Sequence, residues 1–497
     1  MLKCRSLLLR LLHNSVPSLK MLVLRSFVFC SPLMRCLAYV GSLKSEISLK
    51  RIIFSKGTEL CRSLLLGAVL WLTTSSLPLE DFIKNRDQFA WKSIKTEETA
   101  FCKIHWLEVT SQEWGGDLVK EKIWKHVLKV TVPKRLQSAH VLFVVQGGKT
   151  GEEGTVSPKQ LLEMTMKTGT ILAELKAVPN QPIHFIEEDK ARLEDGIVAY
   201  TWRKGMETKD PFWPLHFPMA RAIVRGIDTL EEFLKKESPL EGVVLLGESK
   251  RAWAAWLASA VDPRVKGLVS IACDFLNVKQ CFEHHYNSLG AFSVVLRDYQ
   301  AEGIDKQCIH SQEFDGLMQW EDPFVYRDRY QMPKYMINAS GDPFSMPDSA
   351  QFYFQDLPGP KYLRYIPNIG HQLVSTNYLD TAANFYQTII EKKSIPSFSW
   401  RHTKEGSLEI YTQSKPLEVK LWKAENSESR DFRWDFTHKQ WVSTRLEETT
   451  NGVYKVDLAI PNRGWAAYFA ELQFEEGLLF TTEIFIVPDA LQPLLSK

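Results

Sequence analysis

Several features are scarce in this sequence, and each scarcity narrows the reading. No stretch of 18 or more unbroken apolar residues occurs in the 497, which excludes a polytopic membrane protein. No Cys-x-x-Cys pair occurs among the eight cysteines, so a structural zinc site is not expected. Acidic residues are nearly missing from the first 62 positions, which hold 11 Lys/Arg against 2 Asp/Glu. Charge of either sign is missing from residues 63–78. The chain as a whole has 61 Lys/Arg and 59 Asp/Glu, a net charge of +2, so 50 and 57 remain beyond residue 78. The pI of about 8.0 is therefore set by a basic leader, and the body is mildly acidic at −7. An acidic body argues against nucleic acid as a partner.

The leader is Leu-rich and interrupted by arginines. Leu64–Leu72 is a nine-residue apolar run of signal-peptide length, and Thr74 and Ser76 supply small side chains for cleavage. We expect residues 1–78 to be a leader, with the mature protein starting near Leu77 in a secreted, extracellular setting. A mitochondrial presequence and a signal anchor are the alternatives. The string Cys-Arg-Ser-Leu-Leu-Leu recurs at Cys4–Leu9 and Cys61–Leu66, and an upstream extension of the true start is one explanation for a signal core so far from residue 1. No stable membrane insertion is expected after processing. Cys4, Cys30, Cys36 and Cys61 fall in the leader. Cys102, Cys273, Cys281 and Cys308 remain, either as buried free thiols or in one of three pairings, of which Cys273–Cys281 is the nearest in sequence.

Beyond the leader, alternation and short apolar runs predict strands at Cys102–Val109, Ile123–Val132, His140–Val145, Ile183–Ile186, Gly242–Leu246, Lys266–Ala272, Tyr335–Asn338 and Tyr362–Ile366. Helical spacing covers Pro158–Leu175, Phe217–Lys236, Ala252–Ala260, Ser349–Gln355 and Thr376–Glu391. Strands alternating with helices predict a mostly parallel α/β sheet over residues 79–397. Residues 274–333 interrupt that rhythm. They are too long for a bare connection and are expected to form an aromatic cap. From residue 398 to 497 the texture changes to short alternating strands separated by turns such as Asn451-Gly452, which predicts a β-sandwich.

Gly247-Glu248-Ser249-Lys250-Arg251 lies between a strand and a helix, the setting of a nucleophile elbow. The next strands but one end in Ser340-Gly341-Asp342-Pro343 and Asn368-Ile369-Gly370-His371. Ser, then Asp, then His, each on a loop at a strand's carboxyl end, is the α/β-hydrolase order, because three such loops converge at one sheet edge. Ser249 is expected to attack a carbonyl, His371 to take its proton, and Asp342 to fix the imidazole tautomer. The backbone N–H of Lys250 is one expected oxyanion donor, and Gly148, in the loop Gly147–Lys149, the second. A helix-capping serine is the competing reading of Ser249. Asp274 is the rival acid. Arg251 stands where the usual elbow has glycine.

Other candidates are weaker. Glu187 and Glu188 follow a predicted strand and could hold a substrate amine, although a solvated loop is the plainer reading. His284 and His285 invite a metal reading, but no third ligand stands at the right spacing, so cap packing or substrate contact is expected. Asn338-Ala339-Ser340 is a glycosylation sequon on a predicted core strand, where occupancy is not expected. No metal and no organic cofactor are required by this chemistry.

These strings resemble one family. They are Leu246-Gly247-Glu248-Ser249-Lys250-Arg251-Ala252-Trp253, Ala260-Val261-Asp262-Pro263-Arg264-Val265, His284-His285-Tyr286-Asn287-Ser288, Asn338-Ala339-Ser340-Gly341-Asp342, Asp356-Leu357-Pro358-Gly359-Pro360-Lys361, Pro367-Asn368 and Gly370-His371. From about Leu79 to Pro488 the chain is similar to the PhoPQ-activated pathogenicity-related proteins, which include secreted autocrine proliferation repressors of some eukaryotes. In that family the elbow reads Ser-Lys-Arg, so Arg251 follows its form, whereas Glu248 and Ala252 depart from its Ala and Gly. The resemblance implies an α/β-hydrolase fold with a C-terminal β-domain, and no particular substrate. The expectation is a secreted serine hydrolase acting on a small-molecule ester or a peptide. The alternative is a secreted signalling protein on the same scaffold, with a cell-surface receptor as partner.

Overall fold

The computed structural model describes residues 78–152, 154–438 and 440–491. The leader, its apolar run and the expected cleavage site lie outside the described residues. Among the described residues no helix is long and apolar enough to cross a membrane.

The chain opens with helix α1 (Pro78–Lys84) and three antiparallel strands, β1 (Ala90–Glu98), β2 (Cys102–Glu113) and β3 (Ile123–Pro133). Then follow β4 (Ser138–Val145), α2 (Pro158–Thr168), β5 (Thr170–Leu175), α3 (Asp195–Thr208), α4 (His216–Leu234), β6 (Gly242–Glu248), α5 (Lys250–Val261) and β7 (Val265–Ile271). The insertion carries α6 (Val278–Leu289), α7 (Arg297–Ala301) and α8 (Gln312–Glu321). The sheet resumes with β8 (Lys334–Ala339) and β9 (Lys361–Ile366), covered by α9 (Tyr378–Ile390). The remaining strands are β10 (Phe398–His402), β11 (Ser407–Thr412), β12 (Glu418–Asn426), β13 (Val442–Arg445), β14 (Val453–Asp457), β15 (Trp465–Gln473), β16 (Leu479–Thr481) and β17 (Phe485–Val487), with the one-turn helix α10 (Trp434–Thr437) between β12 and β13.

The main sheet runs β1-β2-β3-β5-β4-β6-β7-β8-β9-β16-β15-β12-β13, with β17 paired to β15. Its centre, from β5 through β4, β6, β7 and β8 to β9, is parallel. These strands are buried along almost their whole length, as Val243–Leu246 illustrates. Parallel strands covered by helices on both faces read as continuous apolar runs for that reason. This is the α/β-hydrolase architecture. The C-terminal strands form two antiparallel layers, a three-stranded sheet β10-β11-β14 packed on β12, β15 and β16. Leu408, Ile410 and Tyr454 from one layer meet Val419, Ala470 and Leu472 from the other in one sandwich core. The larger layer joins the central sheet through an antiparallel contact between Thr481 of β16 and Leu363 of β9.

Three elements differ from the sequence reading. The helical spacing of Pro158–Leu175 divides at Gly169, which takes a left-handed φ of 62° and ends α2. The remainder becomes the fully buried β5, since a short apolar run fits either period. Ile183–Ile186 adds no sheet strand and makes only isolated bridges to Val119 and Arg192. Ser349–Gln355 contributes one turn of 3-10 helix, Ser349–Phe352, rather than an α-helix. All four described cysteines are free thiols, with Cys102, Cys273 and Cys281 buried.

Candidate active site

Strand β6 delivers Ser249 at the head of α5. Ser249 takes φ 55° and ψ −127°, a strained conformation for a residue with a Cβ. The turn is tight enough that a Cβ on Gly247 would lie 2.7 Å from the backbone C and O of Arg251, so only glycine fits two residues before the serine. Its backbone N–H is anchored to the Ile271 carbonyl on β7 at 2.8 Å. Lys250 begins α5, so its amide points outward unclaimed by the helix.

Arg251, in the position where the usual elbow has glycine, is buried against the loop after β4. Its Nε donates to the Val178 carbonyl at 2.7 Å, and its Nη1 and Nη2 donate to Glu194 at 2.7 and 2.6 Å. Gly147 makes the room, because a Cβ there would lie 2.6 Å from Nη2 of Arg251. Glu194 also receives Lys250 Nζ at 2.9 Å. Burial would raise its carboxyl, but the two cations hold it well below the usual carboxylate range.

Asp342 and His371 arrive on the loops after β8 and β9. His371 Nδ1 lies 2.7 Å from Asp342 Oδ2, and His371 Nε2 lies 3.0 Å from Ser249 Oγ. The other Asp342 oxygen accepts the Phe344 N–H at 2.9 Å. Burial pulls the His371 pKa down, but the charge and hydrogen bond of Asp342 outweigh it, so the imidazole titrates above its ordinary value. Lys250 opposes that rise and Asp195 adds to it. Glu248, beside the serine, accepts from Tyr378 Oη at 2.7 Å, and burial raises its pKa.

The rival acid is committed elsewhere. Asp274 accepts from Tyr353 Oη at 2.5 Å and Tyr365 Oη at 2.7 Å. Burial pushes its pKa up to about 7, against the pull of those two hydroxyls.

The C-terminal region braces both triad loops. The Trp434 N–H donates to the Gly341 carbonyl at 2.9 Å. Trp434 and Asp435 crowd the loops so closely that a Cβ on Gly341 or Gly370 would sit 2.6 or 2.7 Å from them. Asn368 exchanges two hydrogen bonds with the backbone of Trp441, at 3.0 and 2.7 Å.

A cleft reaches Ser249 and His371. Trp202, Trp253, Phe275, Phe282, Tyr299 and Phe344 form its aromatic walls, and Asp195, His216, Lys250, Asp274 and Ser345 join the triad among its polar groups. The insertion supplies Phe275, Phe282, Leu296 and Tyr299, so it roofs the cleft. Asp195, His216 and Trp202 carry no motif and were not singled out in the sequence; only their place beside the triad in space reveals them.

Five of the sequence candidates lie away from this cleft. Gly148 is not among its lining residues, and its carbonyl accepts from Gln181 Nε2 at 3.3 Å. The neighbouring Lys149 N–H is taken by Glu152 at 3.2 Å. Glu187 receives Tyr200 Oη and Lys204 Nζ at 2.6 and 2.7 Å, while Glu188 pairs with Arg192 at 2.5 Å. Both acids are consumed by neighbouring cations because no strand carries them to the sheet edge. His284 Nε2 contacts Asp348 Oδ1 at 2.9 Å, and Arg430 donates to the same aspartate at 2.7 Å. His285 is fully buried and accepts the Ser293 N–H at 3.1 Å. The two histidines thus pack the cap. Among the described residues no group of three or more His, Cys, Asp or Glu could hold a metal ion.

The profile of a family described as PhoPQ-activated pathogenicity-related protein matches residues 79–433. A curated relative, autocrine proliferation repressor protein A of Dictyostelium discoideum, is 33% identical over 452 residues, covering 84% of this chain and 91% of the relative. Among solved structures, acetyl xylan esterase 1 from Thermoanaerobacterium sp. JW/SL YS485 is similar at a TM-score of 0.45 and 14% identity, over 64% of this chain and 95% of that one. An acylaminoacyl peptidase of Pyrococcus horikoshii is similar at a TM-score of 0.38 and 12% identity, over 61% of this chain and 49% of that one.

Proposed function

The chain belongs to the PhoPQ-activated pathogenicity-related family, and from that premise we propose that it is a secreted serine hydrolase of carboxylic esters or peptides. The observation that carries the reading is the unbroken run Ser249 Oγ, His371 Nε2, His371 Nδ1, Asp342 Oδ2, with links of 3.0 and 2.7 Å. In the proposed reaction Ser249 Oγ attacks the carbonyl carbon as His371 Nε2 takes its proton. Asp342 accepts from Nδ1, holds that tautomer and stabilises the imidazolium that forms. The Lys250 amide, at the head of α5, donates to the developing oxyanion. The imidazolium then returns its proton to the departing alcohol or amine. Water, activated by the same histidine, releases the acid and restores Ser249. The substrate is a small ester or a peptide end that fits between the aromatic walls.

A fluorophosphonate probe tests the reading. Labelling of the wild type and none of Ser249→Ala supports it. A folded wild-type protein that takes no label overturns it. For secretion, the charge break at residues 62–79 is the supporting observation, and N-terminal sequencing of the mature protein is expected to read from near Leu77. The name of the Dictyostelium relative favours a second reading, a secreted repressor of proliferation acting through a cell-surface receptor. Under that reading, Ser249→Ala keeps full biological effect on cells; under the first, it does not.

A further inference from the structure

His216, the first residue of α4, lines the same cleft as Ser249 yet has no part in the proposed triad chemistry. Its ring stacks on Trp253 with centroids 4.7 Å apart and an interplanar angle of 10°. Its Nδ1 is hydrogen-bonded to Glu321 Oε1, and the same oxygen accepts Trp202 Nε1 at 2.9 Å. Trp253 Nε1 reaches the Glu321 carbonyl at 2.9 Å, which locks the end of α8 to the ring stack. His216 is 1% exposed, and its Nε2 has no hydrogen-bond partner. A buried polar atom left without a partner is destabilising. A group that enters the cleft and reaches Nε2 recovers that cost.

Nε2 is a donor or an acceptor according to which ring nitrogen carries the hydrogen. Glu321 is wholly buried, and among the described residues its ion-pair partner is His216. A buried pair of this kind is stable as a net-neutral unit. Two such arrangements are an imidazolium facing the carboxylate and a protonated Glu321 donating to Nδ1 of the neutral ring. In these two arrangements Nε2 carries a hydrogen and is a donor. Of the cationic groups that line the cleft, Lys250 is paired with Glu194 and Asp195, and His371 with Asp342. That balance disfavours a free carboxylate and favours a neutral acceptor.

We propose that His216, held by Glu321, is the polar specificity group of the cleft, and that its Nε2–H binds a ketone or amide carbonyl oxygen on the acyl arm of the substrate. The inference rests on the hydrolase reading only in calling that arm acyl. It distinguishes substrates with an internal carbonyl, such as oxoacyl or acylamino groups, from plain alkyl esters. A site built to satisfy a buried donor discriminates against an analogue that leaves it unpaired.

The test uses the full chain carrying Ser249→Ala, so that binding is read without turnover. It is titrated with the anilides of 4-oxopentanoic and 5-oxohexanoic acids and with those of pentanoic and hexanoic acids, following the fluorescence of Trp202 and Trp253. At least one oxo anilide is expected to bind about tenfold or more tightly than its alkyl counterpart. The preference is expected to vanish in Ser249→Ala/His216→Phe, whose ring keeps the stack on Trp253, and to return in part with His216→Gln, which restores an N–H donor. Equal affinity of oxo and alkyl anilides in the protein with His216 intact overturns the proposal, as does a preference that survives His216→Phe. Where the phenylalanine variant does not fold, the oxo-versus-alkyl comparison with His216 intact decides alone. A protein that shows the preference but takes no fluorophosphonate label loses the hydrolase reading and keeps this one.

Discussion

Replacing Asp342 by asparagine separates the triad acid from its rival with one atom. The Phe344 N–H, 2.9 Å from Oδ1, selects the orientation of the new amide, because only its oxygen can accept there. The amide nitrogen must then face His371 Nδ1, where Oδ2 stood at 2.7 Å. An N–H donor at that place forces Nδ1 to be the acceptor and moves the ring proton to Nε2. Nε2 would then point a hydrogen at Ser249 Oγ across the 3.0 Å link, and the base could no longer take the serine proton. Loss of the correct tautomer in such a triad costs about 10⁴ in kcat, or about 5 kcal/mol of barrier. Asp274→Asn is the matched control. Its carboxyl is bonded to the hydroxyls of Tyr353 and Tyr365, not to the histidine, so kcat should fall by less than about tenfold. Folding of the control can be followed through pH. The Asp274 pKa is raised from 3.8 to about 7 in the folded state, so its stabilising contribution is present at low pH and is lost as pH rises through 7. The wild-type Tm should decline across that window more than the Tm of Asp274→Asn. The assay is hydrolysis of p-nitrophenyl acetate at pH 8, normalised to active sites by fluorophosphonate titration. Asp342→Asn retaining turnover while Asp274→Asn abolishes it would refute the assignment.

Gly247→Ala places a methyl group 2.7 Å from the Arg251 backbone, so α5 must shift; a stability loss of about 1–3 kcal/mol by chemical denaturation is expected, together with slower labelling of Ser249. The reactive form of His371 is neutral and its pKa is raised, so kcat/KM should climb with pH through a midpoint above 6.5, and Asp195→Asn should lower that midpoint; an unchanged midpoint would remove Asp195 from the account. Arg430 is buried and pairs with Asp348 at 2.7 Å, so Arg430→Ala strands a buried carboxylate and should cost about 3–5 kcal/mol in thermal or urea unfolding. The Asp348 pKa is held down by His284 and Arg430 despite burial; its contribution is present above the unfolded value and is lost as pH falls, so the destabilisation by Arg430→Ala should shrink in acid.

The triad order was legible because strand-end loops of a parallel sheet meet at one edge, whatever their distance in sequence. Ser249, Asp342 and His371 each follow a short apolar run that reads as a buried strand, and the structure brings the three side chains together. Other features depended on partners far along the chain. His284 and His285 read as cleft candidates from composition, but Arg430, more than 140 positions later, meets Asp348 at His284 and fills that side of the cap. Arg251 looked like a departure from the elbow, and its reason is Gly147, a hundred residues earlier. Strand β5 was hidden inside a helical pattern because one left-handed glycine, Gly169, changes the period without changing the polarity. The aromatic cap was visible as a composition, whereas its contribution of Phe282 and Tyr299 to the cleft came only from the packing of α6 and α7.

The brace formed by Trp434, Asp435 and Trp441 has a consequence for the order in which a working protein comes into being. A ribosome that has passed residue 371 has already delivered the serine, the acid and the base, yet the groups that seat Gly341, Asn368 and Gly370 are still to be made. The seating of the two loops therefore waits for residues 434–441, which follow the last of the three side chains by more than sixty positions.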